Sequence, residues 1–515
     1  MLVYTVFTLV VISLFYLYRN ITNKYDYWRK RNVPYIKPSF IFGNYKDYIL
    51  MRKFSGKLAQ EICQQFPDEP YVGVYYGTDP ALLIKDPNLV KLVLAKDFYY
   101  FNQREISQHI HKERVSKNLF LTGGDTWKVL RQNLTPFFTS AKIKNMFHLI
   151  ESCASSLETA LNKEISKSNI IDIKAFSARY TMECIGSCAF GISTGTLTDE
   201  TSSNMFTIIG HKLFDDSYIG AWKFVIRSMW PNLFYSLGFQ LTPIEVQNFF
   251  ESVITQVFKS RKYEASSRND FIDLILSWKK NQHIKGDSIS NINSKVKKTV
   301  NLDVDDNLLI SQCIMFFGAG FETTATTLTF LLYELSKNQK VQSRVIEEVD
   351  DYYKRHKGKI EYDCLNEMSF SQACVNETLR IYPVLGFVTR EVSEEYTLPT
   401  GLQLEKGTRI HVPVFYMHRN PEYFPEPEEF RPERFYGDAE KNIIPYTFMP
   451  FGEGSRICIG LRFSKMPLGA AILTIFKNYR VELTEGMPLK LEFDPRAFAT
   501  QANCDIHLKF VERKK

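Results

Sequence analysis

One short stretch constrains this chain more than any other: PFGEGSRICIG, residues 450–460. Three glycines, Gly452, Gly454 and Gly460, surround Cys458, with Phe451 and Arg456 at fixed distances from it. Glycine supplies the tight turns and close backbone approach that let N–H groups point at one sulfur atom. A sulfur held that way, in a dry pocket, suits a thiolate whose donor strength is tuned by its surroundings. Arg456 adds a fixed cation able to meet an acidic group bound beside the cysteine. Phe451 can pack against the sulfur. An ordinary glycine-rich turn around a buried thiol is the alternative, and five placed residues at set spacing weigh against it.

The rest of the chain must then build a large, mostly helical body around that loop. With 515 residues, 44% of them apolar, there is ample material for a buried core. Length alone would suggest about three domains. Long helical patterns cover about 125–280 and 303–381, however, and read as one continuous unit. Residues 71–86 predict a β-hairpin around "GTDP". Residues 388–415 and 480–512 predict short strands. The Lys-, Asn- and Ser-rich segment 279–301 reads as an exposed, mobile surface loop.

Residues 1–18 carry no charged side chain, and Arg19, Lys24, Arg29, Lys30 and Arg31 follow. A cleaved signal would place its positive charge before the apolar run. The run is near the short limit for a membrane span, roughly 17–25 residues. An uncleaved anchor with the body on the cytosolic side is the expectation. Residues 19–38, with Pro34 and Pro38, predict a stiffened hinge, and 39–515 the catalytic domain. The net charge of +7 falls short of a nucleic-acid footprint, so no nucleic-acid partner is expected. Nine widely spaced cysteines argue against a disulfide framework. The Cys184 and Cys188 pair lies in an apolar helical stretch.

The residues between 303 and 336 predict a long helix. On it Phe316, Gly320, Thr323 and Thr327 recur at i, i+4, i+7 and i+11, so one face can look at a flat ligand. Ala319 and Gly320 leave room beside that ligand, and a π-bulge is expected there. Glu322 beside Thr323 offers an acid and an alcohol suited to a proton relay. Gln312, Glu322 and five threonines at 323–329 argue against a lipid setting.

The cysteine loop matches FxxGxRxCxG position by position and so resembles the haem-binding signature of cytochromes P450. "TMECIGSCAFGI", "FFGAGFETTATTLTFLLYEL", "EKGTRIHVPV" and "PEYFPEPEEFRPERF" extend the likeness over almost the whole chain. They look like the insect microsomal members of family 6, in the clan that includes vertebrate family 3. The resemblance implies a mostly α fold with small β-sheets, a single large haem domain behind an N-terminal anchor in the endoplasmic reticulum membrane. It implies haem b, with Cys458 as axial iron ligand, and a monooxygenase using O₂ and NADPH-derived electrons. A thiolate ligand to haem favours O–O cleavage. Dioxygen activation is implied at Ala319, Gly320, Glu322 and Thr323.

Further roles follow from the same likeness. Glu377, Arg380 and Arg434 form a structural lock behind the loop. Trp127 and Arg131 at i, i+4, together with Arg390, are implied to meet the haem propionates beside Arg456. Phe101, Phe120, Phe316, Phe317, Val384, Phe387 and Phe498 are candidates for the substrate pocket. The stretch 221–239 interleaves aromatics with Lys223 and Arg227, which suits an interfacial membrane contact. NADPH–cytochrome P450 reductase is the implied electron donor, with cytochrome b5 as a further candidate. Its docking side is expected at Lys128, Arg462 and Lys465. Substrates are expected to be lipophilic xenobiotics such as plant toxins or insecticides. Hormone or lipid hydroxylation is the alternative, and a haem-thiolate isomerase or a haem-binding sensor are more distant ones. Finally, Pro467 falls where a helix should begin after the loop, which puts that helix's start in question.

Overall fold

The computed structural model describes residues 1–198, 203–266 and 270–513. Its first element, helix α1 (Leu2–Lys24), stands clear of the body, with Ile21 its one buried residue. The helix runs six residues past the apolar segment. Within residues 19–38, the expected stiffened hinge, one side chain is anchored in the body. Trp28 is fully buried and donates from Nε1 to the Val74 carbonyl at 2.9 Å. A side chain at Gly73 would place its Cβ 2.6 Å from the Trp28 ring. Burying an indole in this way ties the chain exit to the sheet.

The hairpin forms as its pattern predicts: β1 (Tyr71–Tyr76) and β2 (Asp79–Ile84) pair in register around Gly77, which has φ +65°. It becomes the edge of a four-stranded sheet completed by β6 (Val388–Glu391) and β7 (Arg409–Val412), in the order β1-β2-β7-β6. The β2–β7 pairing is parallel and the other two are antiparallel. Because side chains alternate along a strand, β6 sends Val388 and Arg390 to one face and Thr389 and Glu391 to the other.

The helical body follows. Helices α2 (Gly124–Leu134) and α3 (Phe147–Lys167) lead to β3 (Ile170–Asp172) and α4 (Ile173–Ile185). Asp172 caps α4 by accepting from the Lys174 and Ala175 amides. Helix α5 (Met205–Leu213) precedes α6 (Tyr218–Met229) and α7 (Pro231–Ser236). The Lys-rich segment is not a loose loop. β4 (His283–Asp287) and β5 (Thr299–Asp303) form an antiparallel ribbon docked on α2. Gln132 donates to Asp287 at 2.8 Å, and Asn133 donates to the Lys285 carbonyl, also at 2.8 Å. The ribbon buries Ile284 and Leu302, one opposite the other, and that pair was hidden by polar neighbours.

The long helix, α8 (Asp306–Lys337), starts at Asp305, whose carboxylate accepts from the Leu308 amide at 2.7 Å. It is buried along most of its length. α4 crosses it closely: a Cβ on Gly320 would sit 2.6 Å from Ile185, and Thr181 donates to the Phe321 carbonyl at 3.0 Å. The expected bulge is absent from α8, which stays α-helical past 319–323. A wide π turn forms instead at Gly186–Phe190, just after α4. Helix α9 (Ser369–Ile381) lies against α8.

After the cysteine loop, α10 (Leu461–Asn478) runs straight through Pro467. Nearly every residue from Met466 to Phe476 is buried, and Tyr180 donates to the Pro467 carbonyl at 3.0 Å. Tertiary packing therefore outweighs the missing N–H. The chain ends in a second sheet, in which β9 (His507–Glu512) lies between β8 (Tyr479–Leu483) and β3.

Candidate active site

The cysteine loop takes its shape from two glycines with positive φ, Gly452 and Gly454, both at +70°. Gly454 has a second reason to be glycine, since a Cβ there would fall 1.9 Å from the Leu94 carbonyl oxygen. The Cys458 amide closes the loop on the Phe451 carbonyl at 2.9 Å. Cys458 is exposed and lines a cavity. Burial pushes the thiol up, while the Gly460 amide and the Arg131 charge pull it down. Those two opposing contacts favour the thiolate, the form that binds metal.

The cavity joins the loop to α8. Phe451, Arg456, Cys458 and Gly460 line it together with Phe316, Ala319, Gly320, Thr323 and Thr327. Phe316, Gly320, Thr323 and Thr327 are the helix face read from the spacing, and Ala319 joins them. Thr323 Oγ1 donates to the Ala319 carbonyl at 2.8 Å, so the hydroxyl is held within its own turn. Cys188 and Ala189, in the π turn, also face the cavity. Gly320 serves two ends at once, openness on one side and the contact with Ile185 on the other.

Glu322 behaves differently from its neighbour. Its side chain is buried outside the cavity lining and accepts from Gln501 Nε2 at 2.9 Å. Burial raises its pKa, against the opposing charge of Lys174 and the Gln501 hydrogen bond.

Four arginines point into the same cavity: Arg104, Arg131, Arg390 and Arg456. Among the described residues none of them is ion-paired with a carboxylate. Among the described residues Arg390 Nε and Arg456 Nε have no hydrogen-bond partner although both are buried. Burial lowers all four guanidinium pKa values, to about 9 for Arg390 and about 10 for Arg104, and Arg104 further depresses Arg390 and Arg456. Unpaired like charges in a dry pocket are costly, so the cluster calls for an acidic ligand. A flat apolar macrocycle with two propionates, bound between Cys458 and α8, fits this donor set. Trp127 is buried beneath Arg456, whose guanidinium lies 4.6 Å from the ring centre. Arg104 had no sequence signal beyond its charge. It also braces the wall, donating to the Phe120 carbonyl at 2.8 Å with its guanidinium 3.9 Å from the Phe120 ring.

Glu377 and Arg380 are fully buried on α9 and bonded twice, at 2.8 Å each. Arg434 approaches Glu377 at 3.4 Å. None of these three residues lines the cavity.

The phenylalanine assignments divide. Phe120, Phe316 and Val384 line the cavity. Phe317 lies in the α8 core, packed on Phe190 and Phe250. Phe101 is fully buried beside Tyr396, and Phe387 packs near Tyr45 and His411. Phe498 is partly exposed and touches Phe214 and Phe224. These four side chains pack elsewhere because the ring fits any dry site, and spacing alone does not say which. Ile185 and Val388 also line the cavity, with no sequence pattern to mark them.

Comparison with known proteins agrees with this geometry. The family model described as Cytochrome P450 matches residues 33–507. The chain is 34% identical to cytochrome P450 6B7 of Helicoverpa armigera over 98% of this chain and 97% of that one. It is 35% identical to cytochrome P450 6k1 of Blattella germanica, covering 98% and 96%. Probable cytochrome P450 6g2 of Drosophila melanogaster is 32% identical, covering 95% and 94%.

Proposed function

The chain belongs to the cytochrome P450 family, a family of haem monooxygenases, and from that premise we propose that it oxidises lipophilic xenobiotics such as plant toxins and insecticides. One oxygen atom of O₂ enters the substrate, and the electrons come from NADPH through a separate NADPH–cytochrome P450 reductase. The observation that carries this reading is one cavity lined by Cys458, by four arginines that have no carboxylate partner among the described residues, and by the Ala319–Gly320–Thr323 face.

Haem b, when bound, supplies dioxygen activation, and its thiolate ligand favours O–O cleavage. The chain's own residues hold, orient and protonate. Cys458 would supply the thiolate that holds the haem iron. Arg104, Arg131, Arg390 and Arg456 would hold the propionates, with Trp127 packed beneath. Phe120, Phe316 and Val384 keep the substrate side dry. Thr323 carries a proton at Oγ1 inside the cavity. Glu322, which holds its proton to higher pH than an ordinary carboxylate, resupplies it.

This division of labour predicts the behaviour of Thr323→Ala. General acid–base groups contribute about 10²–10⁴ in rate, so product formed per NADPH should fall about tenfold or more. Peroxide release should rise correspondingly, while the reduced carbon-monoxide band stays intact. Full coupling in the variant would remove Thr323 from the relay.

Electron delivery is assigned to the outer side of the cysteine loop. Arg462 is exposed, and Lys128 and Lys465 are partly so. Replacing all three with Glu should slow reductase-supported turnover and spare peroxide-supported turnover. Equal loss in both assays would reject that docking side.

The membrane face is read from two elements that meet on one turn. Lys24, at the end of α1, bonds Asp79 at 2.9 Å, and Trp230, between α6 and α7, lies against Gly77. Trp222, Leu233, Leu237 and Phe239 are exposed on the α6–α7 side. An apolar face beside the anchor suits contact with the same bilayer. The membrane is assigned to the endoplasmic reticulum, with the catalytic body in the cytosol.

A further inference from the structure

Glu322 is held by a polar chain that leads away from the cavity. Its Oε1 accepts from Gln501 Nε2 at 2.9 Å, and Gln501 Oε1 accepts from Lys174 Nζ. Gln501 is buried just before the last strand, and Lys174 is a partly exposed residue in the first turn of α4. The chain's polarity is fixed. An ammonium donates to the amide oxygen, so the amide NH₂ must face the carboxyl.

We propose that Gln501 is a positioning residue that fixes the Glu322 carboxyl and links it to Lys174, the outer end of the polar path serving α8. The proposal rests on the reading of Glu322 as the proton reserve for Thr323. It extends that site to two residues far away in sequence, on α4 and in the C-terminal segment.

The groups facing Glu322 set its titration. Lys174 from α4 and His211 from α5 favour the carboxylate, as does the Gln501 hydrogen bond. Asp216, ahead of α6, and burial favour the protonated acid, with burial the largest effect. Lys174 is the largest of the opposing influences. Removing it leaves burial less opposed, so Glu322 keeps its proton to higher pH. Removing the Gln501 amide acts in the same direction.

The test is an infrared titration of full-length holoprotein. The C=O stretch of protonated Glu322 is identified as the band missing in Glu322→Gln. Its midpoint is then compared in Lys174→Met and Gln501→Leu, each checked for an intact reduced carbon-monoxide band. Both midpoints should move up by about one pH unit, a tenfold change in proton affinity. A midpoint unmoved in either variant would overturn the proposal. Should Gln501→Leu fail to fold, Gln501→Asn replaces it, being too short to bridge both partners. The titration reads the resting protein, so it is independent of whether Thr323→Ala supports the relay in turnover.

Discussion

Cys458→Ser should abolish the red-shifted absorbance of the reduced carbon-monoxide complex and, with it, monooxygenase turnover. The effect is expected to be total because serine offers an alkoxide of far higher proton affinity than a thiolate. Two contacts at residue 458, the Gly460 amide and the Arg131 charge, favour the thiolate against the opposing effect of burial. Haem uptake is a separate reading. The four arginines and Trp127 remain in the variant, so some haem should still bind, without the thiolate signature. A variant that kept the shifted band would show that another residue ligates iron.

Glu377→Ala should cost about 3–5 kcal/mol of stability, the range for breaking a buried pair and leaving one charge uncompensated. Both side chains of the Glu377–Arg380 pair are completely inaccessible. The damage should reach the haem pocket by a traceable route. Arg380 donates to the carbonyls of His418 and Pro427, and Glu377 accepts from the Arg431 amide at 2.9 Å. His418 Nε2 in turn accepts from the Met449 amide at 2.9 Å, two residues before Phe451. Burial and the charges of Arg380 and Arg419 lower the His418 pKa to about 3, so the ring stays neutral and can accept that bond. Calorimetry and haem retention should therefore fail together in Glu377→Ala. A loss below about 1 kcal/mol with full haem retention would contradict the lock.

How much of this was legible in the sequence depended on whether local chemistry or distant packing decided the outcome. The β1–β2 hairpin and the α8 face were readable because turn residues and helical spacing act locally. The cysteine loop was readable because its glycines answer to backbone geometry at Gly452 and Gly454. Pro467 misled because its penalty is local while its compensation is not: a buried α10 and Tyr180, almost 290 positions away, keep the helix intact. The β4–β5 ribbon was missed because one buried pair, Ile284 and Leu302, carries it among lysines and asparagines. Arg104 and Gln501 were missed for a third reason. Their partners, the other cavity arginines and Glu322, come from remote parts of the chain, and a single Arg or Gln has no pattern to announce it. The phenylalanines show the same limit, since Phe316 and Phe317 are adjacent in sequence and one lines the cavity while the other fills the core.

X-ray absorption at the iron edge of the purified, haem-loaded protein bears most directly on the ligand assignment. A sulfur atom in the iron's coordination shell, lost in Cys458→Ser, is the expected result. A shell of nitrogen and oxygen donors alone in the unaltered protein would contradict it.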